Sequence, residues 1–158
     1  GYYNHPAKSC VCPPGSVQKY LNKISGPLLD RIDLHVEVTP VLHSELSSME
    51  AGETSAQIRE RVVQARAIQA ARFKDHEGIY CNAQMGSKLL KAICVPDSAG
   101  QNLLKSAMSR LNLSARAYDR ILKVSRTIAD LAMSEYIRPD HLAEAIQYRS
   151  LDRDGWGG

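Results

Sequence analysis

The 158-residue chain is 44% apolar and 23% charged, with a formal net charge of +3. That balance suits one soluble globular domain, or a domain plus a piece of another, and excludes a largely disordered chain. No stretch approaches the roughly 18 uninterrupted apolar residues of a membrane span, and +3 is less than a dedicated DNA-binding domain usually carries.

Gly1-Tyr2-Tyr3-Asn4-His5-Pro6 contains neither an initiator Met nor a signal-peptide pattern, so the chain is expected to begin inside a longer protein. Residues 1–16 are rich in Gly, Pro, Ser and Cys and read as loop. Val17 to Lys23 makes a short helical turn, and Ser25-Gly26-Pro27 punctuates the chain. Ile32-Asp33-Leu34-His35-Val36-Glu37-Val38 alternates apolar and polar residues without a break, the pattern of an edge or antiparallel strand with one buried face. A lone strand cannot satisfy its own backbone, so this one implies partners.

After Pro40 the chain is polar as far as Glu53. Thr54-Ser55-Ala56-Gln57 fits a capping box and opens a helix running to about Phe73, with Ile58, Val62, Ala65 and Ile68 on one face and Arg59, Arg66 and Arg72 largely elsewhere. Residues 74–85 read as loop. Ser87 to Ile93 is a short helix ended by Pro96, and Asp97 caps the next, which presents Leu103, Leu104, Ala107 and Leu111. Ser114 caps a helix with Ile121, Leu122, Ile128 and Ala129 at three-and-four spacing, and Pro139 opens a last one with Leu142, Ala145 and Ile146. Residues 86–149 therefore read as a bundle of about four helices with short connections, and the tail from Asp152 to Gly158 as mobile.

The residues that could do chemistry are few. There is no GxxxxGK[ST] phosphate loop, no HExxH and no GxSxG, and five histidines are scattered. Cys81 and Cys94 lie among apolar residues and read as buried structural thiols. Cys10 and Cys12 resemble half of a metal site, since zinc takes four ligands; reduced, unligated thiols are the alternative. Nothing indicates an oxidising compartment, so a cytoplasmic location is expected.

Two arginines stand out by position. Arg31 sits where a turn meets the expected strand, flanked by Asp30 and Asp33; a local ion pair is one reading of it. Arg116 lies in the first turn of the helix capped by Ser114, where free N–H groups and the helix dipole favour an anion; an anion site and a solvated arginine both remain open. Arg120, Lys123 and Arg126 follow on that helix and add positive potential.

Four stretches carry a family resemblance: Lys23-Ile24-Ser25-Gly26-Pro27-Leu28-Leu29-Asp30-Arg31-Ile32-Asp33-Leu34-His35, then Leu113 to Val124, then Arg126-Thr127-Ile128-Ala129-Asp130-Leu131, and finally His141 to Arg149. In them the chain resembles the magnesium-chelatase-like AAA+ ATPases of the ComM and YifB type. The resemblance implies a mainly α fold: a helical-bundle AAA+ lid preceded by a terminal piece of the α/β core, one helix and one edge strand. It divides the chain into a core remnant with the Cys-x-Cys loop at 1–40, a linker and inserted long helix at 41–85, the lid at 86–150 and a flexible tail at 151–158.

The resemblance also implies roles. Arg31 matches the arginine finger that reaches the γ-phosphate bound by a neighbouring subunit. Arg116 matches the sensor-2 arginine, with Ser114 beside it at the nucleotide. ATP and Mg2+ would be cofactors of the longer protein, which also implies zinc if a second Cys pair joins Cys10 and Cys12. The implied partners are the N-terminal remainder, neighbouring subunits of a ring expected to be a hexamer, and DNA, with no membrane. The implied function is DNA branch migration in competence and recombination, with no ATP hydrolysis by this chain alone. A chelatase-type metal-insertion motor and a non-catalytic helical interaction module binding DNA or protein are the competing readings.

Overall fold

A computed structural model describes residues 1–3, 5–38, 40–41 and 52–149. Among the described residues there are seven α-helices, one 3-10 turn and no strand. The helices are α1 (Pro14–Leu21), α2 (Gly26–Leu29), α3 (Ser55–Arg72), α4 (Ser87–Ile93), α5 (Ser98–Arg110), α6 (Ala115–Leu131) and α7 (Pro139–Gln147); the 3-10 turn is Asn82–Gln84. The chain is mainly α, as the sequence implies. The polar stretch after Pro40 and the tail fall for the most part outside the described residues.

The helix ends follow local chemistry. Thr54 and Gln57 form the expected capping box: the Gln57 amide donates to Thr54 Oγ1 at 3.4 Å and the Thr54 amide to Gln57 Oε1 at 2.9 Å. Asp97 accepts from the Gly100 amide at 2.7 Å and Ser114 from the Ala117 amide at 3.2 Å, each satisfying a donor that the first helical turn leaves unpaired. Pro139 occupies the first turn of α7. At the other ends, α5 stops at Asn112 (φ 47°) and α6 at Met133 (φ 55°), both left-handed. After α6 the Ser134 amide returns to Ala129 O and the Met133 amide to Asp130 O, a Schellman stop built without glycine.

Helix α6 is the spine. It packs against α3, α4, α7 and the 3-10 turn, while α5 leans on α7. Leu90, Leu104, Ile121, Leu122, Ala129 and Leu142 form the centre of one buried cluster. Gly100 permits close approach of α5 to α7, because a Cβ there would sit 2.7 Å from Leu142 Cδ1.

Three readings of the sequence need correction. Residues 32–38 are extended but form no ladder among the described residues. The apolar residues are not the buried ones: Ile32, Leu34, Val36 and Val38 are exposed, Glu37 is exposed as well, and only His35 is buried. His35 is 5% exposed, whereas Leu34, Val36 and Val38 are 48%, 67% and 87% exposed. Alternation fixes which residues share a face; it does not supply a second strand.

Second, Gly26-Pro27-Leu28-Leu29 is not bare punctuation; it closes into the single turn α2, with Pro27 tolerated because first-turn amides need no intrahelical acceptor.

Third, the apolar face of α3 is only partly used. Ile58 and Val62 remain 43% and 47% exposed, while Ala65 and Gln69 are buried. Arg72, expected away from the bundle, reaches into it.

Candidate functional site

Arg31 sits just past the single turn α2. Its amide donates to Leu28 O at 3.0 Å and its exposed guanidinium folds back to donate to Pro27 O at 2.7 Å. No described salt bridge joins it to Asp30 or Asp33. Asp33 instead lies 2.9 Å from the Arg120 guanidinium on α6. The local ion pair is therefore replaced by a long-range one, and Arg31 is held by a single neutral carbonyl that a better acceptor can displace.

The segment carrying Arg31 is strapped to the bundle. Arg149, just beyond α7, is fully buried. Its guanidinium donates to the carbonyl oxygens of Ile32 and Leu29, the latter at 3.4 Å. The His35 amide donates to Tyr148 O at 2.7 Å. Asp33 and Leu34 line a shallow groove with Lys123, Val124, Ile128 and Tyr148.

Arg116 stands exposed in the first turn of α6, two residues after the Ser114 cap. Among the described residues no hydrogen bond or ion pair engages its guanidinium. Ser114 spends its hydroxyl on the Ala117 amide, so its role in the structure is that of a cap.

The remaining cations of α6 are committed elsewhere. Arg120 pairs with Asp33, and Lys123 donates to Ala83 O at 2.9 Å. Arg126 is buried, donating to Asp130, to Ser134 O at 2.6 Å and to Glu135 O at 2.8 Å. Of these cations Arg120 and Arg126 face carboxylates, whereas Lys123 rests on an exposed neutral carbonyl and keeps its charge at the surface.

Beneath α6 lies a polar cluster that sequence reasoning missed. Asp130, fully buried, accepts from Arg72 at 2.7 and 2.5 Å, from Asn82 at 2.8 Å and from Arg126 at 3.1 Å. Burial pushes the Asp130 carboxyl up, but the bonds from Arg72 and Asn82 and the Arg126 charge outweigh it and hold the group below the usual carboxylate range. The cluster joins α3 and the 3-10 turn to α6.

Cys10 and Cys12 converge on the chain start: a Cβ on Gly1 would lie 2.6 Å from Cys12 Sγ and 3.3 Å from Cys10 Sγ. Backbone hydrogen bonds from Cys12 and Tyr2 lower the Cys10 thiol from its ordinary value. Two thiolates do not close a tetrahedral zinc site. Among the described residues no group of three or more His, Cys, Asp or Glu side chains could hold a metal ion, so neither zinc nor magnesium finds a full ligand set in them. Cys94, as expected, is a buried structural thiol, with burial raising it to about 12. No helix among the described residues is long and apolar enough to cross a membrane.

Comparison with known proteins agrees with the arrangement. Residues 52–149 match the family described as magnesium chelatase, subunit ChlI C-terminal, and residues 1–46 match magnesium chelatase, subunit ChlI. The chain is 44% identical to competence protein ComM of Haemophilus influenzae over 141 residues, covering 89% of this chain and 27% of that protein. It is 40% identical to YifB of Escherichia coli over 143 residues (90% and 27%) and 38% identical to YifB of Salmonella typhimurium over 145 residues (90% and 27%). The chain thus spans about a quarter of the length of these relatives. With one family model covering all four bundle helices and another covering the Arg31 segment, the chain belongs to the magnesium chelatase ChlI family, on its ComM- and YifB-like side.

Proposed function

We propose that the chain is the lid and sensor part of a ring-forming AAA+ ATPase, residues 86–150 being the lid, 41–85 the linker with its long helix and 1–40 the end of the nucleotide-binding core. The observation that carries the reading is the pair of exposed guanidinium groups: Arg31 on its strapped turn and Arg116 at the α6 N-terminus. Both are exposed, and neither is consumed by a carboxylate among the described residues, which is what an anion contact would need.

In this reading ATP and Mg2+ are bound by the longer protein. Phosphoryl transfer spreads negative charge over the γ-oxygens, and a planar, permanently charged guanidinium from the next subunit stabilises that charge. Arg31 would exchange its bond to Pro27 O for one to the phosphate. Arg116, with the free amides of the first turn of α6, would contact phosphate bound at the lid. An ATPase that uses a residue in trans works only as an assembled ring, for which a hexamer is the expected size. Cys10 and Cys12 would be two ligands of a zinc site completed elsewhere in the longer protein; elemental analysis of that protein finding no zinc would remove this part.

We take the longer protein to be a cytoplasmic DNA motor acting by branch migration in DNA uptake and recombination, a reading that a relative named as a competence protein supports. ATPase activity of the full-length protein stimulated by branched DNA would support it, and indifference to DNA would count against it. The family description favours as second reading a chelatase-type motor driving metal insertion; dependence on tetrapyrrole-synthesis partner subunits separates the two. Direct DNA binding by α6 is disfavoured by the pairing of Arg120 with Asp33 and of Arg126 with Asp130.

The deciding experiment is Arg31→Ala in the full-length protein. ATP binding should persist while hydrolysis falls by about 10³-fold or more, the usual worth of an arginine finger. Unchanged hydrolysis would remove the finger assignment.

A further inference from the structure

We infer that Arg149 is the positioning residue for Arg31, fixing the turn from which that guanidinium reaches its phosphate. The inference rests on the finger reading above and adds to it a residue from the opposite end of the chain.

The two carbonyls that Arg149 binds, Leu29 O and Ile32 O, bracket Asp30 and Arg31. A guanidinium presents its N–H groups in a rigid planar fork, so engaging two carbonyls sets the orientation of the turn as well as its position. The turn itself is anchored on the bundle side by buried Leu29, but its own backbone bonds are all local and do not set its orientation against the bundle. Helix α2 is four residues long, and Arg31 and Ile32 are tied locally by the bonds of their amides to Leu28 O and Leu29 O. Arg149 is itself immobilised: it is fully buried, and it follows directly on Tyr148, whose carbonyl accepts the His35 amide. The Arg120–Asp33 pair adds a third tie, but its side chains are 33% and 43% exposed, and such pairs hold weakly.

An apolar side chain in this buried position would fill the space but give the Leu29 and Ile32 carbonyls no donor. A charged fork aimed at backbone carbonyls serves placement. Loss of the fork leaves the Arg31 side chain intact but allows the turn that carries it to shift, and a misplacement of about 1 Å can cost a reaction about 100-fold.

The test uses the full-length protein and four variants: Arg31→Ala, Arg149→Met, Arg149→Lys and the double variant Arg31→Ala/Arg149→Met. Ring assembly is followed by sedimentation, and kcat and KM for ATP are measured on each. Arg149→Met keeps the volume and removes the fork; it should assemble and lose about 10- to 100-fold in kcat with KM little changed. Arg149→Lys, with a charge but no fork, should recover only part of that loss. The decisive value is the double variant, which should be no slower than Arg31→Ala alone, because a positioning residue has nothing left to position.

A double variant slower by the full Arg149→Met factor would show that Arg149 acts independently of Arg31 and would overturn the inference, as would wild-type kcat in Arg149→Met. Failure of both Arg149 variants to assemble would also overturn it, marking the residue as structural. If Arg31→Ala itself leaves kcat unchanged, the finger reading fails first, and that result is distinguishable from all the others.

Discussion

Replacing Asp130 by alanine tests the polar cluster under α6 directly. The carboxylate is fully buried and takes two bonds from Arg72, one from Asn82 and one from Arg126. Removing one partner of a buried ion pair typically costs about 3–5 kcal/mol, because the other charge stays behind unpaired. Two features favour the lower end. Arg126 keeps its bonds to Ser134 O and Glu135 O, and Arg72, with 18% of its side chain exposed, can turn toward water. The expected loss is therefore about 3 kcal/mol, a large share of the roughly 5–15 kcal/mol by which domains are stable. With a urea slope of about 1.5–2 kcal/mol/M, the midpoint of unfolding followed by circular dichroism should fall by roughly 1.5–2 M. A loss below about 1 kcal/mol would refute the claim that this carboxylate neutralises a buried cation.

The remaining predictions are smaller. Because the folded Asp130 carboxyl lies below its ordinary value of 3.8, its stabilisation is complete above that pH and is lost as pH falls through the folded value; a urea midpoint measured against pH should fall on the acid side in wild type, with this component absent in Asp130→Ala. Gly100→Ala should destabilise by about 1–3 kcal/mol through overpacking against Leu142, measured by thermal unfolding. Met133→Gly should raise the melting temperature, since the left-handed residue ending α6 costs about 1 kcal/mol that glycine avoids. In the folded chain at neutral pH, iodoacetamide should label Cys10 well before Cys94, read by peptide mass mapping; equal rates would contradict the opposite environments of the two thiols.

What could be read from the sequence was what short-range chemistry decides. The caps at Thr54, Asp97 and Ser114 and the first-turn Pro139 each announce a helix within three residues of its start, and the core positions follow at helical spacing. What escaped depends on pairs far apart in sequence. Arg72 meets Asp130 across 58 positions and Arg149 meets Ile32 across 117, and no periodicity records such meetings. Arg126 reads in the sequence only as one more cation adding positive potential to its helix, because its carbonyl partners lie in a turn whose path only the fold determines. The segment 32–38 shows the converse: its period is plain in the sequence, but a period carries no information about what lies alongside.

The uneven anchoring of α3 makes it a lever. The helix is 18 residues long, or about 27 Å at 1.5 Å per residue, and its buried residues are Ala65 and Gln69. Some 15 Å of rod, from Ser55 to Ala65, therefore extends beyond the first buried residue. A tilt of about 10° about Ala65 would carry Ser55 through roughly 2.5 Å, the order of the helix shifts seen at packed interfaces. A displacement small at the buried residues is thus largest at the exposed end that carries Ile58 and Val62.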